Sequence, residues 1–170
     1  MLLREATAAD AHAIATIHVQ AWQAAYQGIV PPAYLESLSI EKRTALWRGL
    51  LMKNDTETLV AESQGEMRGW INFGPSRDDD AGSSTGEVWA LYVSPGHWGT
   101  GVGQSLLAKA AVRLSQMGFS ETTLWVLRDN KRAIRFYHAA DFRVDFGKEQ
   151  VVDCGGAKLV EIRLRRQLSS

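Results

Sequence analysis

Gly86 to Ala111 reads GEVWALYVSPGHWGTGVGQSLLAKAA, and the rest of the chain is organised around this stretch. Glu87 to Val93 is rich in β-branched and aromatic residues and is bounded by Gly86 and Pro95, which predicts a strand. Glycines then crowd positions 96, 99, 101 and 103. Behind them, Gln104 to Gln116 sets Leu106, Leu107, Ala110 and Leu114 on one face of a predicted helix. Strand, glycine turn and helix start, in that order, expose backbone N–H groups at the positive end of a helix dipole. Such a cradle holds an anion, a pyrophosphate for instance, without a basic side chain. The plain alternative is a tight turn, since glycines also serve turns.

Two phosphate loops fit poorly. A P-loop needs Gly-Lys-Ser/Thr, and the stretch has none. A dinucleotide fingerprint finds Gly101 and Gly103 but meets Leu106 at its third glycine, and the chain does not open with repeating strand–helix units. A nucleotide-binding oxidoreductase is therefore a distant reading.

The whole chain sets further bounds. Its 170 residues, 45% of them hydrophobic, suit one domain over 1–170 with a sizeable core. Lys plus Arg equals Asp plus Glu at 19 each, so no global field recruits nucleic acid or an anionic membrane. One cysteine, Cys154, cannot form an intramolecular disulfide and suits a reducing cytoplasm. Met1 leads into the charged Leu2-Leu3-Arg4-Glu5 without a signal-peptide pattern, and no apolar run is long enough to span a bilayer. The expectation is a cytoplasmic domain without membrane or nucleic-acid partners. A homodimer is expected only because symmetric pairs are the commonest assembly.

In chain order, Leu2 to Glu5 reads as a first strand. Thr7 and Asp10 make a capping box for a helix to about Tyr26. Gly28 stops it, and Ser39 caps a second helix from about Ile40 to Met52. Thr56 to Glu62 and Met67 to Phe73 alternate as strands around a Gly65-Glu66 turn. Pro75 to Thr85 is polar and reads as a mobile loop. After the central strand and helix, Thr122 to Leu127 is a strand, Asn130 to Ala140 a short helix and Phe142 to Phe146 a strand. Lys158 to Arg165 closes the chain with Leu159, Glu161 and Arg163 on one face. The order β-αα-βββ-α-β-α-ββ predicts an α/β (α+β) layer with a mixed, mostly antiparallel twisted sheet of about seven strands and about four helices.

Leu91-Tyr92-Val93 followed by Gly101-Val102-Gly103 resembles the acyl-CoA loop of the GCN5-related N-acetyltransferase (GNAT) family, Q/R-x-x-G-x-G/A after a strand. The Gln/Arg position is Trp98 here. Asn130 to Phe142 resembles a second family segment, N-x-x-A-x-x-F-Y-x-x-x-G-F, with Asp141 at the glycine. Asp tolerates the left-handed geometry that a helix end can require. Trp22, Tyr26, Gly28 and Pro31 resemble uncharacterised bacterial-type members, and the element order also matches.

The resemblance implies acetyl transfer from acetyl-CoA to a primary amine, on a small molecule or on a protein, with no metal. Such a reaction must deprotonate an amine of pKa about 10, stabilise an oxyanion and protonate a leaving thiolate. No covalent nucleophile is needed, because a well-placed amine attacks the thioester directly. Glu87 is the candidate base. By strand alternation it shares a face with Trp89, Leu91 and Val93, whose apolar surroundings would raise its basicity. The competing reading is a strand-end glutamate in water. Tyr137 is the candidate acid; Asn130, Ala133, Ile134 and Tyr137 fall on one helix face. The competing reading is a core aromatic.

The resemblance further implies that the backbone of Leu91, Tyr92 and Val93 meets the acyl group beside a bulge. Trp98, Gly99, Thr100, Gly101, Val102, Gly103, Gln104 and Ser105 would take the diphosphate. Asn130, Ala133 and Phe136 would flank the pantetheine arm, and Trp22, Tyr26 and Tyr34 would wall the acceptor pocket. His12, His18, His97 and His138 lack metal-ligand spacing. Cys154 reads as a bystander thiol, and Asp78-Asp79-Asp80 as a solvated run or a lure for a cation. Arg128, Lys131, Arg132 and Arg135 form a basic patch able to meet the 3′-phosphate of CoA. The competing implication is a domain that binds acyl-CoA as a sensor and turns nothing over.

Overall fold

The fold is taken from a computed structural model that describes residues 1–53 and 55–168. β1 (Leu2–Glu5) leads through a short turn of 3-10 helix into α1 (Ala11–Ala25). Then come α2 (Pro32–Glu36), α3 (Ile40–Leu51), β2 (Glu57–Ser63), β3 (Glu66–Pro75) and β4 (Thr85–Val93). The chain ends with α4 (Val102–Gln116), β5 (Glu121–Leu127), α5 (Lys131–Ala139), β6 (Arg143–Cys154) and β7 (Ala157–Gln167). The strands form one sheet ordered β1-β2-β3-β4-β5-β7-β6. Only β4 and β5 run parallel; the other neighbours are antiparallel.

Local chemistry accounts for the element ends. The Thr7 N–H donates to the Asp10 carboxylate at 2.7 Å, and Arg4 grips the same carboxylate at 2.8 Å. The Arg4 guanidinium holds Asp10 down to about 2, so the cap stays charged in all but strong acid. Ser39 caps α3 by accepting from the Lys42 N–H at 3.2 Å. α2 is an additional helix in a segment expected to be a loop. It is too short to show periodicity, and Pro32 at its first turn supplies the φ a helix start needs. The β2–β3 turn falls at Gln64-Gly65, both at positive φ, one residue earlier than expected, and Glu66 already pairs with Ser63.

The sheet buries both faces. On the side of α4 and α5, Ile71, Phe73, Leu124 and Leu164 of the sheet pack with Leu106 and Leu114 of α4 and with Phe142. On the other side, Val60 and Trp70 of the sheet pack with Ile14 and Ala15 of α1 and Trp47 of α3, and the Trp70 indole N–H donates to the Ile14 carbonyl at 3.1 Å. β6 runs well past the expected end at Phe146. Its register with β7 slips between Val144 and Glu149, and the polar, glycine-bearing slip hides the continuation in sequence.

The 76–84 segment, expected to be a mobile loop, is pinned to the sheet. Arg163 on β7 reaches Asp78 at 3.0 Å, Asp80 at 2.7 Å and Asp145 at 2.8 Å. The Trp125 indole N–H donates to Asp78 at 2.9 Å. Asp78 and Asp80 are therefore spent on Arg163 and are not a free lure for a cation, although Asp79 and Asp80 stay exposed to solvent. Because Arg163 is buried among these carboxylates, Arg163→Leu is expected to lower stability by about 3 kcal/mol, read from urea denaturation.

Candidate active site

β4 and β5 pair at Thr85–Glu121, Gly86–Thr122 and Glu87–Thr123, and then part. The cause lies in β4. Ala90 stands opposite Asn72 and Val88 opposite Phe73, so Trp89 is the extra residue of a β-bulge. A bulge bends the strand and shifts side-chain parity by one residue. Val88, Leu91 and Val93 thus all pack on the α4 side, while Ala90 and Tyr92 pack on the α1–α3 side. Glu87, next to Val88, shares its face with Ala90 and Tyr92. Of its expected companions, Leu91 and Val93 lie on the opposite face, because strict alternation cannot register a bulge; Trp89 stays beside it, with Arg77 stacked 4.2 Å over its ring while pairing with Glu87.

The opened gap exposes backbone. The Ser94 N–H donates to the Arg68 carbonyl on β3 at 2.8 Å. Antiparallel alternation then turns Tyr92 toward β3 as well, and turns the N–H and C=O of Leu91 and Val93 into the gap. The Val93 carbonyl accepts from the Trp98 indole N–H at 2.8 Å. The Tyr92 backbone, expected to face a ligand, serves the β3 ladder instead, and its side chain belongs to the aromatic cluster beneath α1.

At one end of the gap stands the start of α4. Gly101 caps it at φ +90°, a left-handed conformation suited to glycine. Among the described residues, the backbone N–H groups of Gly99, Thr100, Gly101, Val102, Gly103 and Gln104 have no acceptor; Ser105 makes the first helical bond, to Gly101 at 3.0 Å. Side chains sort differently from backbone. Val102 is a core residue, the Thr100 hydroxyl donates to the His97 carbonyl at 2.8 Å, and Ser105 is absent from the cavity wall. Trp98 lines the wall, and the Arg132 guanidinium stacks 3.4 Å above its ring. Of the expected basic patch, Arg132 alone lines the cavity; Arg128 pairs with Glu149, and Lys131 donates to the Arg128 carbonyl at 2.8 Å.

α5 forms the facing wall with Asn130, Ala133, Phe136 and Tyr137. Asn130 caps α5, its side-chain oxygen accepting from the Ala133 N–H at 3.1 Å. That acceptor, expected to be open to a ligand, is used by the helix, and the amide N–H groups remain. The Tyr137 ring packs against Phe136 and Phe142, and its hydroxyl has no hydrogen-bond partner among the described residues. Burial, with Tyr92 nearby, pushes that hydroxyl up, so it keeps its proton near neutrality. Asp141 takes φ +64°, the left-handed conformation expected at the glycine of the second segment.

Glu87 is 1% exposed yet lines the cavity. The apolar isolation expected for it is missing. Arg77 forks onto its carboxylate, and the Arg77 backbone N–H donates to it at 2.9 Å. The other end of the cavity is aromatic. Trp22 and Tyr26 meet edge to face at 4.8 Å, and the Trp22 indole N–H donates to the Tyr92 hydroxyl at 2.8 Å. Tyr34 on α2 lies over Gly155, where an added Cβ would come within 2.9 Å of it. Gln150, Val152 and Glu161, not singled out from sequence, and Cys154, read there as a bystander thiol, complete this wall. The alternation of Gln150, Val152 and Cys154 along β6 is visible once the strand is known to continue past Gly147. Cys154 is buried and its thiol pushed up, so it is not a reactive nucleophile. All these groups face one cavity of about 750 Å³.

The model of the Acetyltransferase (GNAT) family matches residues 10–142, spanning loop, gap and α5. The chain belongs to that family. It is similar to the uncharacterized N-acetyltransferase YuaI of Bacillus subtilis, 34% identical over 95% of this chain and 90% of that one. The structure of yncA from Salmonella typhimurium with its cofactor acetyl-CoA matches with a TM-score of 0.75 and 26% identity, covering 100% of this chain and 95% of that one. A ribosomal-protein-alanine N-acetyltransferase from Brucella melitensis shares the fold, with a TM-score of 0.78 at 24% identity over 99% of this chain and 100% of that one. In this GNAT chain the two motif segments face each other across the β4–β5 gap, which the bulge at Trp89 opens. Among the described residues, no helix is long and apolar enough to cross a membrane.

Proposed function

We propose that this protein is a cytoplasmic, acetyl-CoA-dependent N-acetyltransferase that moves the acetyl group to a primary amine by direct attack. One observation carries the reading: the unpartnered N–H run from Gly99 to Gln104 opens onto a gap holding the unpartnered hydroxyl of Tyr137. The amides fit a diphosphate, and the gap between β4 and β5 fits an extended arm whose amides meet the backbone of Leu91 and Val93. Acetyl-CoA, when bound, supplies an activated thioester. Glu87 takes the amine's proton through water, the Leu91 and Val93 N–H groups favour negative charge on the acyl oxygen, and Tyr137 returns a proton to sulfur as C–N forms and C–S breaks.

Calorimetric titration of CoA-free protein with acetyl-CoA, with NAD and ATP as controls, tests this. Selective micromolar binding, about −8 kcal/mol, is expected, followed by amine-dependent thiol release. Binding of NAD but not acetyl-CoA would overturn it.

Arg132 carries a prediction of its own. Stacked on Trp98 and lacking a carboxylate partner among the described residues, it presents its charge where the family pattern has Gln or Arg. Arg132→Ala is expected to weaken acetyl-CoA about tenfold and to flatten the salt dependence of binding.

The Arg77–Glu87 pair supports a second reading, an acyl-CoA sensor without turnover. Tight acetyl-CoA binding with no thiol release across an amine panel would establish it.

A further inference from the structure

Each carboxylate on the cavity wall but one has a cation. Glu87 has Arg77, and Asp153 has Lys158 at 2.8 Å. Glu161 is the exception. It lies on β7 opposite Leu127 of β5 and Gln150 of β6, on the face it shares with Leu159 and Arg163. Leu159 packs into the cluster of Trp22, Tyr26 and Tyr34, so this face of β7 looks toward α1 and α2.

Among the described residues, the only hydrogen bond to the Glu161 carboxylate comes from the neutral Gln150 amide, at 2.7 Å, and no cation pairs with it. Arg163, two residues along the same face, is already engaged by Asp78, Asp80 and Asp145. Arg43 lies 5.7 Å over the Trp22 ring but is not part of the cavity wall. The other cavity arginine, Arg132, stacks on Trp98 at the phosphate-loop end. The charge of Glu161 reaches this wall: it adds to the burial that raises Tyr26 and Cys154. An unpaired carboxylate beside several electron-rich rings is the composition of an ammonium site, joining a charge-assisted hydrogen bond to cation–π contacts.

We propose that Glu161, with Trp22, Tyr26 and Tyr34, forms a subsite for a second cationic group of the acceptor. The substrate class is then an amine that carries another ammonium or basic group, such as a diamine or polyamine. An α-amino acid is disfavoured, since its carboxylate would meet Glu161, and Arg43, the arginine nearest this end, lies outside the cavity wall. The inference rests on the acetyltransferase reading for what happens to the bound amine, not for its binding.

The test compares 1,4-diaminobutane, butylamine and glycine, with wild type and Glu161→Gln. Calorimetric binding in the presence of CoA is read beside kcat/KM for acetylation, and the melting temperature and acetyl-CoA affinity of the variant report its folding. Wild type is expected to prefer the diamine at least tenfold over butylamine in both readouts. Glu161→Gln should erase that preference, mainly through KM for the diamine. Glu161→Asp should restore part of it. Equal treatment of diamine and monoamine by wild type, or an equal loss on both amines in Glu161→Gln, overturns the subsite. Glu161-dependent diamine binding without acetylation keeps the subsite and overturns the acetyltransferase reading instead.

Discussion

Replacing Tyr137 with phenylalanine is expected to lower kcat by about 10²–10⁴-fold while leaving acetyl-CoA affinity nearly unchanged. The ring is held by Phe136 at 5.1 Å and Phe142 at 5.7 Å, contacts that phenylalanine reproduces, so the fold should stand. The substitution removes only the hydroxyl, which among the described residues has no partner to be left unsatisfied. Its proton is kept near neutrality because burial raises the phenol further above its ordinary pKa of about 10. Tyr137 should therefore contribute no alkaline limb to the rate below about pH 10. Stopped-flow release of the thiol with a reactive amine separates the step from binding. A variant within threefold of wild-type kcat would remove Tyr137 from the acid role.

Acidification below pH 6.5 is expected to destabilise the protein through His18. The ring is 8% exposed, stacks on Tyr92 at 4.7 Å and lies 5.8 Å from both Trp22 and Trp70. Neither ring nitrogen has a hydrogen-bond partner among the described residues. Burial first, and the charge of Arg43 second, push His18 down to about 3 from 6.5. The unfolded chain takes up this proton near pH 6.5 and the folded chain does not. Stability is thus fully present above pH 6.5 and drains away as pH falls toward 3, by about 1.4 kcal/mol per unit. At pH 5 the loss is about 2 kcal/mol. His18→Leu should flatten the difference in denaturant midpoint between pH 7 and pH 5. An unchanged slope in the variant would refute this assignment. Because Tyr92 also accepts from Trp22, protonation of His18 would disturb the aromatic wall of the cavity as well.

The sequence by itself determined the order of the strands and of every helix but α2, the strand–glycine–helix unit and the family. Those signals are local: a run of β-branched and aromatic residues, a glycine at a left-handed helix cap, apolar residues on one helical face. Asp141 was legible for the same reason, since a short polar side chain tolerates the φ +64° that the chain adopts there. What the sequence concealed depends on contacts between distant segments. The bulge at Trp89 exists only as a mismatch with β3, so the face assigned to Glu87 came out wrong. Arg77 and Arg163 are surface residues by composition, and only packing shows that they neutralise Glu87 and pin the 76–84 loop. Glu161 was one alternating residue of a last strand. It becomes the unpaired carboxylate of a cavity only when β6 and β7 fold back beside α1 and α2, because charge balance in a pocket is set by neighbours in space that no local pattern records.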